Sequence, residues 1–272
     1  SIFVIGRITV FEDDYIAHKK PDWAVRKKST GGVWENYKGI AWLDAGSKDV
    51  WEYTVSIAQT AYDMGFDEIN FDYIRFPSDG PMADASYRHK GNRTRADVME
   101  DFYKYLQVNL RDRGVPISAD LFGMVTSSNE DLGIGQVLER AVPYFDAIAP
   151  MSYPSHYPSG FGGFSNPAVQ PYGVMKKAMD DGVEKLTAIN VDPHILRPWI
   201  QDFNIGTTYT AERVRDQIQG IYDAGLTSWM IWDPANKYQR NALRGHDDET
   251  DNFGPLVQEP EAKLDQIIHI IF

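Results

Sequence analysis

The sequence predicts an α/β fold built on a parallel sheet, and three observations carry that prediction. Strand-like and helix-like segments alternate along the chain, which puts helices on the faces of a parallel sheet. Four aspartates, Asp72, Asp120, Asp192 and Asp233, fall at the ends of strand-like segments, and in an α/β barrel that end of the strands is where sites are built. Long loops, 12–46, 77–94, 154–169 and 193–209, are expected to follow strands and so to share one face. Loops of such length are commonly functional or disordered.

The first strand is expected over 2–11, an apolar run interrupted by Arg7. A helix follows over 48–64, with Ser47 as its cap and Val50, Trp51, Val55, Ile57, Ala58 and Ala61 as its apolar positions. Gly65 suits the position just past that helix. Ile69, Phe71 and Ile74 mark a strand over 68–76, stopped by Pro77 and the Ser78-Asp79-Gly80 turn. Helices are then expected over 95–113, 132–142, 170–182 and 210–224, and strands over 116–122, 145–153, 186–192 and 228–233. Thr210 and Gly225 bound the 210–224 helix. Leu264, Ile267, Ile268 and Ile271 recur at helical spacing and predict a last helix over 260–270.

The 272 residues fit one domain, 1–272. A net charge of -12 argues against a nucleic-acid partner and against an anionic membrane surface. No run approaches the ~20 apolar residues of a membrane span. The absence of cysteine removes disulfides, thiolate metal sites and cysteine nucleophiles. Aromatic residues make up 13% of the chain, either as a large core or as platforms for sugar rings. His194, His246 and His269 are scattered and no HExxH occurs, so no metal is expected. Neither a GxSxG nor a phosphate-loop pattern is present, and no cofactor is expected. Both ends of the chain are apolar and read as cut. Nothing in the sequence sets the oligomeric state.

Residues 71–80, FDYIRFPSDG, resemble the signature of a bacterial family of glycoside hydrolase-like domains with a (β/α)8-barrel fold. The likeness extends to GRITVF at 6–11, GIAWLD at 39–44, IGQ at 134–136, PMSYPSHY at 150–157 and SWMIWDP at 228–234. The family pattern places two strand–helix units before the GRITVF strand. The resemblance therefore implies a TIM-type barrel of which six units, strands three to eight, are visible here and the first two are missing. A genuine six-stranded open sheet is the alternative. The resemblance also implies a carbohydrate partner, hydrolysis of a polysaccharide or cell-envelope glycan, and an extracytoplasmic location.

Glycoside hydrolysis needs two carboxyl groups flanking the scissile bond. Asp72 as nucleophile or base, with Asp120 as general acid, is the simplest assignment, and the roles can be exchanged. Asn70 shares the face of Asp72 by alternation and adds a polar group. Arg75 can hold an ionised aspartate or a substrate oxygen. Arg7 is expected to orient Asp72, to bind substrate, or to form a structural ion pair. Tyr153, His156 and Tyr157 lie in a loop suited to hydroxyl recognition or to packing on its own aromatics. Trp42 and Trp232 offer stacking faces, with Trp42 equally a core residue. Asp192 and Asp233 complete the strand-end set for substrate binding, whereas Asp44 is expected to be a turn residue. A barrel that binds glycan without cleaving it fits the same residues. A metal-assisted hydrolase built on the aspartates and His156 is a third option, with oxygen ligands favouring Mg or Ca.

Overall fold

The computed structural model describes residues 2–243. Six parallel strands lie side by side in the order of the chain: Ile5–Thr9, Glu68–Asp72, Ile117–Phe122, Ala147–Met151, Trp199–Gln201 and Met230–Trp232. Helices Lys48–Asp63, Arg95–Asn109, Leu138–Ala141, Pro171–Ala188 and Ala211–Asp223 connect them. This is the expected alternation, and the sheet is a partial barrel.

The curl of the sheet is visible in contacts between strands that are not neighbours. Glu68, on the second strand, pairs with Arg197, just before the fifth. The indole of Trp199 on the fifth strand donates to Asp120 on the third at 2.7 Å. The guanidinium of Arg7 on the first strand lies 5.0 Å from the ring centre of Trp232 on the last. Flat sheets do not bring such residues together; here the two edge strands turn toward each other. A groove of about 400 Å³, lined in part by Ile5, Arg7, Phe66 and Trp232, runs between them.

The curl divides the core in two. Ile5, Ala149, Tyr153, Trp199 and Met230 pack inside the curve. The larger cluster, with Phe71, Ile117, Leu121 and Ile148 on the strands and Trp51, Phe102, Val174 and Val214 on the helices, fills the space between sheet and helices. Local chemistry sets the helix ends. Thr94 and Asp97 form a reciprocal capping box at the start of 95–109. Thr210 accepts from Arg213 N–H. Ser47 stands at the cap position of 48–63 but makes no capping bond. The loops after the first two strands dock on each other through a short antiparallel ribbon, Arg26–Lys27 against Ala85–Ser86, and a bond from the Trp34 indole to Pro81 O at 3.1 Å.

Two expected elements are corrected. The strand expected over 186–192 does not form: helix Pro171–Ala188 runs through its first residues, and Asn190 then adopts a left-handed φ of 58°. The fifth strand is Trp199–Gln201, so the segment 193–209 contains a strand and is not one loop. The helix expected over 132–142 shrinks to Leu138–Ala141, because Leu132, Gly133 and Gly135 all take positive φ ahead of it. The helix expected over 260–270 lies outside the described residues.

Candidate active site

Strand register builds the site. Arg7 pairs with Asn70, Asn70 with Ser118, and Phe71 with Ala119. Asp72 and Asp120 are therefore next in line on adjacent strands, whose spacing in a sheet is about 4.8 Å. Alternation turns Arg7, Asn70, Asp72, Ser118 and Asp120 into the curve, while Phe71, Ala119 and Leu121 face the helices.

One guanidinium joins the two carboxyl groups. Arg7 Nη2 donates to Asp72 Oδ2, and Arg7 Nε donates to Asp120 Oδ2 at 3.4 Å. Asp72 Oδ1 also accepts the N–H of Tyr73 at 2.6 Å, and Tyr73 takes a left-handed φ of 53°. A non-glycine residue in that region is strained and is held there by its surroundings. Asp120 Oδ1 accepts from Asn70 Nδ2 at 3.0 Å and from the Trp199 indole at 2.7 Å. Asn70 Nδ2 also donates to Ser118 Oγ at 3.0 Å, and Ser118 Oγ donates to Glu68, the partner of Arg197. A polar chain thus runs from the floor of the barrel up to Asp120. Asn70 Oδ1 is buried with no hydrogen-bond partner among the described residues.

The electrostatics follow from this packing. Burial, and then the charge of Asp72, push the Asp120 carboxyl up to about 7; Arg7, Trp199 and Asn70 pull the other way. Tyr153, 8% exposed, is raised well above the ordinary phenol range by burial and by Asp120 and Asp72. His156 is held below its usual value by desolvation, packed 5.4 Å from Tyr153 and 5.9 Å from Phe203, ring centre to ring centre. Asp72 and Asp120 are 3% and 1% exposed, whereas the Arg7 side chain is 24% exposed. Arg7 is thus the exposed member of the trio.

The other expected site residues divide. Trp232 closes the last strand, packs edge-on against Trp199 and stays partly exposed under Arg7. Asp233 follows it, buried, with Oδ1 accepting the N–H of Ala235 at 2.6 Å. Arg75 sits at the same rim but makes no ion pair with Asp72; it donates to Phe76 O and Ser78 Oγ and lies against aromatic faces. Trp42 is fully buried beneath Arg75 and is a core residue. Asp44 is a turn residue, accepting the N–H groups of Gly46 and His89, each at 3.0 Å. Tyr157 is buried on Phe161.

Asp192 is not at a strand end. It lies exposed on the turn leading into the fifth strand, bonded to the backbone and ring of His194. The carboxylate that does follow the fifth strand is Asp202. Asp202 is 4% exposed, accepts the N–H of Gln239 at 2.6 Å through Oδ2, and leaves Oδ1 buried without a partner among the described residues. Burial first, and then Asp233, push it up to about 6. Its signal is the tetrapeptide Trp199-Ile200-Gln201-Asp202, legible only once the strand is placed there. Among the described residues no group of three or more His, Asp or Glu side chains is arranged to hold a metal ion. No described helix is long and apolar enough to cross a membrane.

A partial parallel barrel with two acidic side chains side by side at its strand ends has the layout at which barrels of this kind build their sites. Residues 1–238 match the family described as "Putative glycosyl hydrolase domain", and the chain belongs to that family. Among solved structures, a hypothetical protein from Ruminiclostridium thermocellum ATCC 27405 is 36% identical over 49% of this chain and 60% of its own, with a TM-score of 0.40. The chain spans less than two thirds of that protein's length. The PgaB (BpsB) glycoside hydrolase domain from Bordetella bronchiseptica is 15% identical over 85% of this chain and 70% of its own, with a TM-score of 0.58. The spore cortex-lytic enzyme SleL of Bacillus megaterium QM B1551 is 13% identical over 74% and 53%, with a TM-score of 0.50. The last two are likenesses of fold. No curated protein matches the sequence.

Proposed function

We propose that this domain hydrolyses glycosidic bonds in a polysaccharide or cell-envelope glycan, with Asp120 as general acid and Asp72 as nucleophile or base. The observation that carries the reading is the adjacent pair itself, with Asp120 pushed up to about 7 beside Asp72. Two carboxyl groups with different environments can divide acid and base roles. Asp72 accepts from a cation and from a backbone N–H, bonding that suits an ionised carboxylate. Arg7, Asn70, Tyr153, His156, Trp232 and Asp233 would line the substrate's path, with Trp232 offering a ring face. The family resemblance supports an extracytoplasmic location for this work.

The near-complete burial of both carboxyl groups favours a second reading, a barrel that binds glycan and does not cleave it. One experiment separates the two. Reducing-end release and affinity are measured on a broad panel of polysaccharides and cell-envelope glycans, for wild type, Asp72→Asn and Asp120→Asn. The hydrolase reading expects each variant to lose turnover by about 10²–10⁴-fold while binding persists. Full activity in either variant removes that residue from catalysis. Tight binding without hydrolysis by the wild type favours the binding module.

A further inference from the structure

Arg75 is a buried cation with carboxylates in its field, Glu12 foremost, but none among the described residues in direct contact with it. It is 8% exposed, and among the described residues no carboxylate lies within ion-pair distance of its guanidinium. Buried arginines are ordinarily matched by a carboxylate, as Arg197 is by Glu68. Instead its guanidinium carbon lies 4.7 Å from the ring centre of Trp42, 4.8 Å from Phe122 and 5.3 Å from Tyr73. Nη1 donates to Phe76 O at 3.1 Å and to Ser78 Oγ at 3.2 Å, both neutral oxygens. Nε and Nη2 have no protein acceptor among the described residues. Aromatic walls fix the plane of a guanidinium while leaving its donor edge for an oxyanion, which it binds in bidentate fashion.

The position ties this group to the carboxyl pair. Arg75 lies three residues beyond Asp72, Phe122 ends the third strand, and Trp42 belongs to the loop after the first. All three stand at the rim where the strands end. Burial holds the Arg75 pKa below its usual value, against the pull of Glu12, Tyr73, Asp72 and Asp79. Glu12, half-buried there, is raised by burial, while its bond to Tyr73 and the charge of Arg75 pull the other way.

We propose that Arg75 anchors an oxyanion subsite, holding a carboxylate, sulfate or phosphate carried on a sugar of the glycan, next to the Asp72–Asp120 pair. The sugar part of this inference rests on the glycan reading above. The test is a titration of the full chain, following the Arg75 Nε–Hε resonance by nuclear magnetic resonance. The probes are glucuronate, glucose 6-sulfate, glucose 6-phosphate, neutral methyl glucoside and inorganic sulfate. A saturable shift with one or more of the charged sugars, and none with methyl glucoside, is expected; the tightest arm names the oxyanion. In Arg75→Gln, followed through the Ser78 backbone amide resonance, which wild type should also shift on binding, the response to that sugar should be abolished. Should Arg75→Gln fail to fold, Arg75→Lys, which keeps the charge and loses the fork, should weaken it several-fold. No shift with any charged sugar at tens of millimolar overturns the proposal. So does an equal shift with inorganic sulfate alone, or an Arg75 resonance that moves on Glu12→Gln and ignores every sugar, since Glu12 would then be the partner. The titration needs no turnover. Failure of the hydrolase reading, seen as tight glycan binding without hydrolysis by the wild type, leaves its outcome unaffected.

Discussion

Asp120 ties function and stability together at the scale of one residue. Unfolded, its carboxyl releases a proton near pH ~4; folded, burial and Asp72 push that event up to about 7. Between those values the native state holds the extra proton, so stability falls as pH rises through the window, and the cost is complete above it. The cost is on the order of a few kcal/mol. Asp120→Asn removes the titration and keeps an oxygen for Asn70 and Trp199. Its advantage in melting temperature over wild type should therefore be near zero at the acid end and grow toward neutral pH. Parallel melting curves for the two proteins across the window would show that Asp120 ionises normally in the fold. The hydrolase reading adds a kinetic consequence. Activity that needs the protonated Asp120 should decline as pH rises through about 7. Arg7 pulls Asp120 down, so Arg7→Gln should move that alkaline limb upward while lowering kcat/KM, because Asp72 loses its charged partner. A limb that stays in place, or moves down, would mean that another group sets it.

At the scale of elements, the second and third strands were legible and the fifth was not. Glu68–Asp72 is buried throughout, and Ile117–Phe122 nearly so. Their outward Ile69, Phe71, Ile117 and Leu121 give a clear apolar signal against the helices. Around the fifth strand the inward positions carry Arg197, Trp199 and Gln201, because the barrel interior there is a polar network. Prolines at 193 and 198 and a strand of only three residues remove what is left of the pattern. Ala188-Ile189-Asn190-Val191 imitates a strand better, although Ile189 is 42% exposed and Asn190 is a left-handed stop. That error carried Asp192 into the candidate site and left Asp202 out. The Asp72–Asp120 neighbourhood was legible because two strong strands adjoin in sequence order. Arg7 as their bridge was one of several readings, since nothing local distinguishes it from a structural pair.

The same interior network predicts its own energetics. Glu68 and Arg197 join the second strand to the segment before the fifth, and Ser118 and Asn70 extend the chain to Asp120. Glu68→Gln keeps the shape and removes the charge paired with the buried Arg197 guanidinium, which costs about 3–5 kcal/mol. Urea unfolding should register that loss, and Glu68→Gln with Arg197→Met should lose less than the sum of the single changes. Additive losses would mean that the two side chains do not act as a pair.

For the whole molecule, the sheet is unevenly tied. The first four strands are joined by multi-residue registers, whereas the fourth and fifth share one paired position, Met151 with Trp199, beside an isolated bridge from Ile148 to Leu196. The fifth and sixth strands have three residues each. Few hydrogen bonds therefore hold Trp199–Gln201 and Met230–Trp232 to the rest of the sheet, and Met230–Trp232 stands at its edge. Their release is also opposed by side-chain contact across the curve, Trp199 on Asp120, Glu68 on Arg197 and Arg7 against Trp232, and by Gln217 on the Gln201 backbone. Regions with few buried backbone bonds open at lower free energy than the central strands. Native-state hydrogen exchange should accordingly be slowest in Glu68–Asp72, Ile117–Phe122 and Ala147–Met151, and faster in Met230–Trp232. Glu68→Gln should accelerate exchange in Trp199–Gln201 more than in Ile5–Thr9, because the pair it breaks bridges to the fifth strand and leaves the first-strand ladder intact. Equal protection across all six strands, or an equal acceleration everywhere in the variant, would show that the seam between the fourth and fifth strands is no weaker than the others.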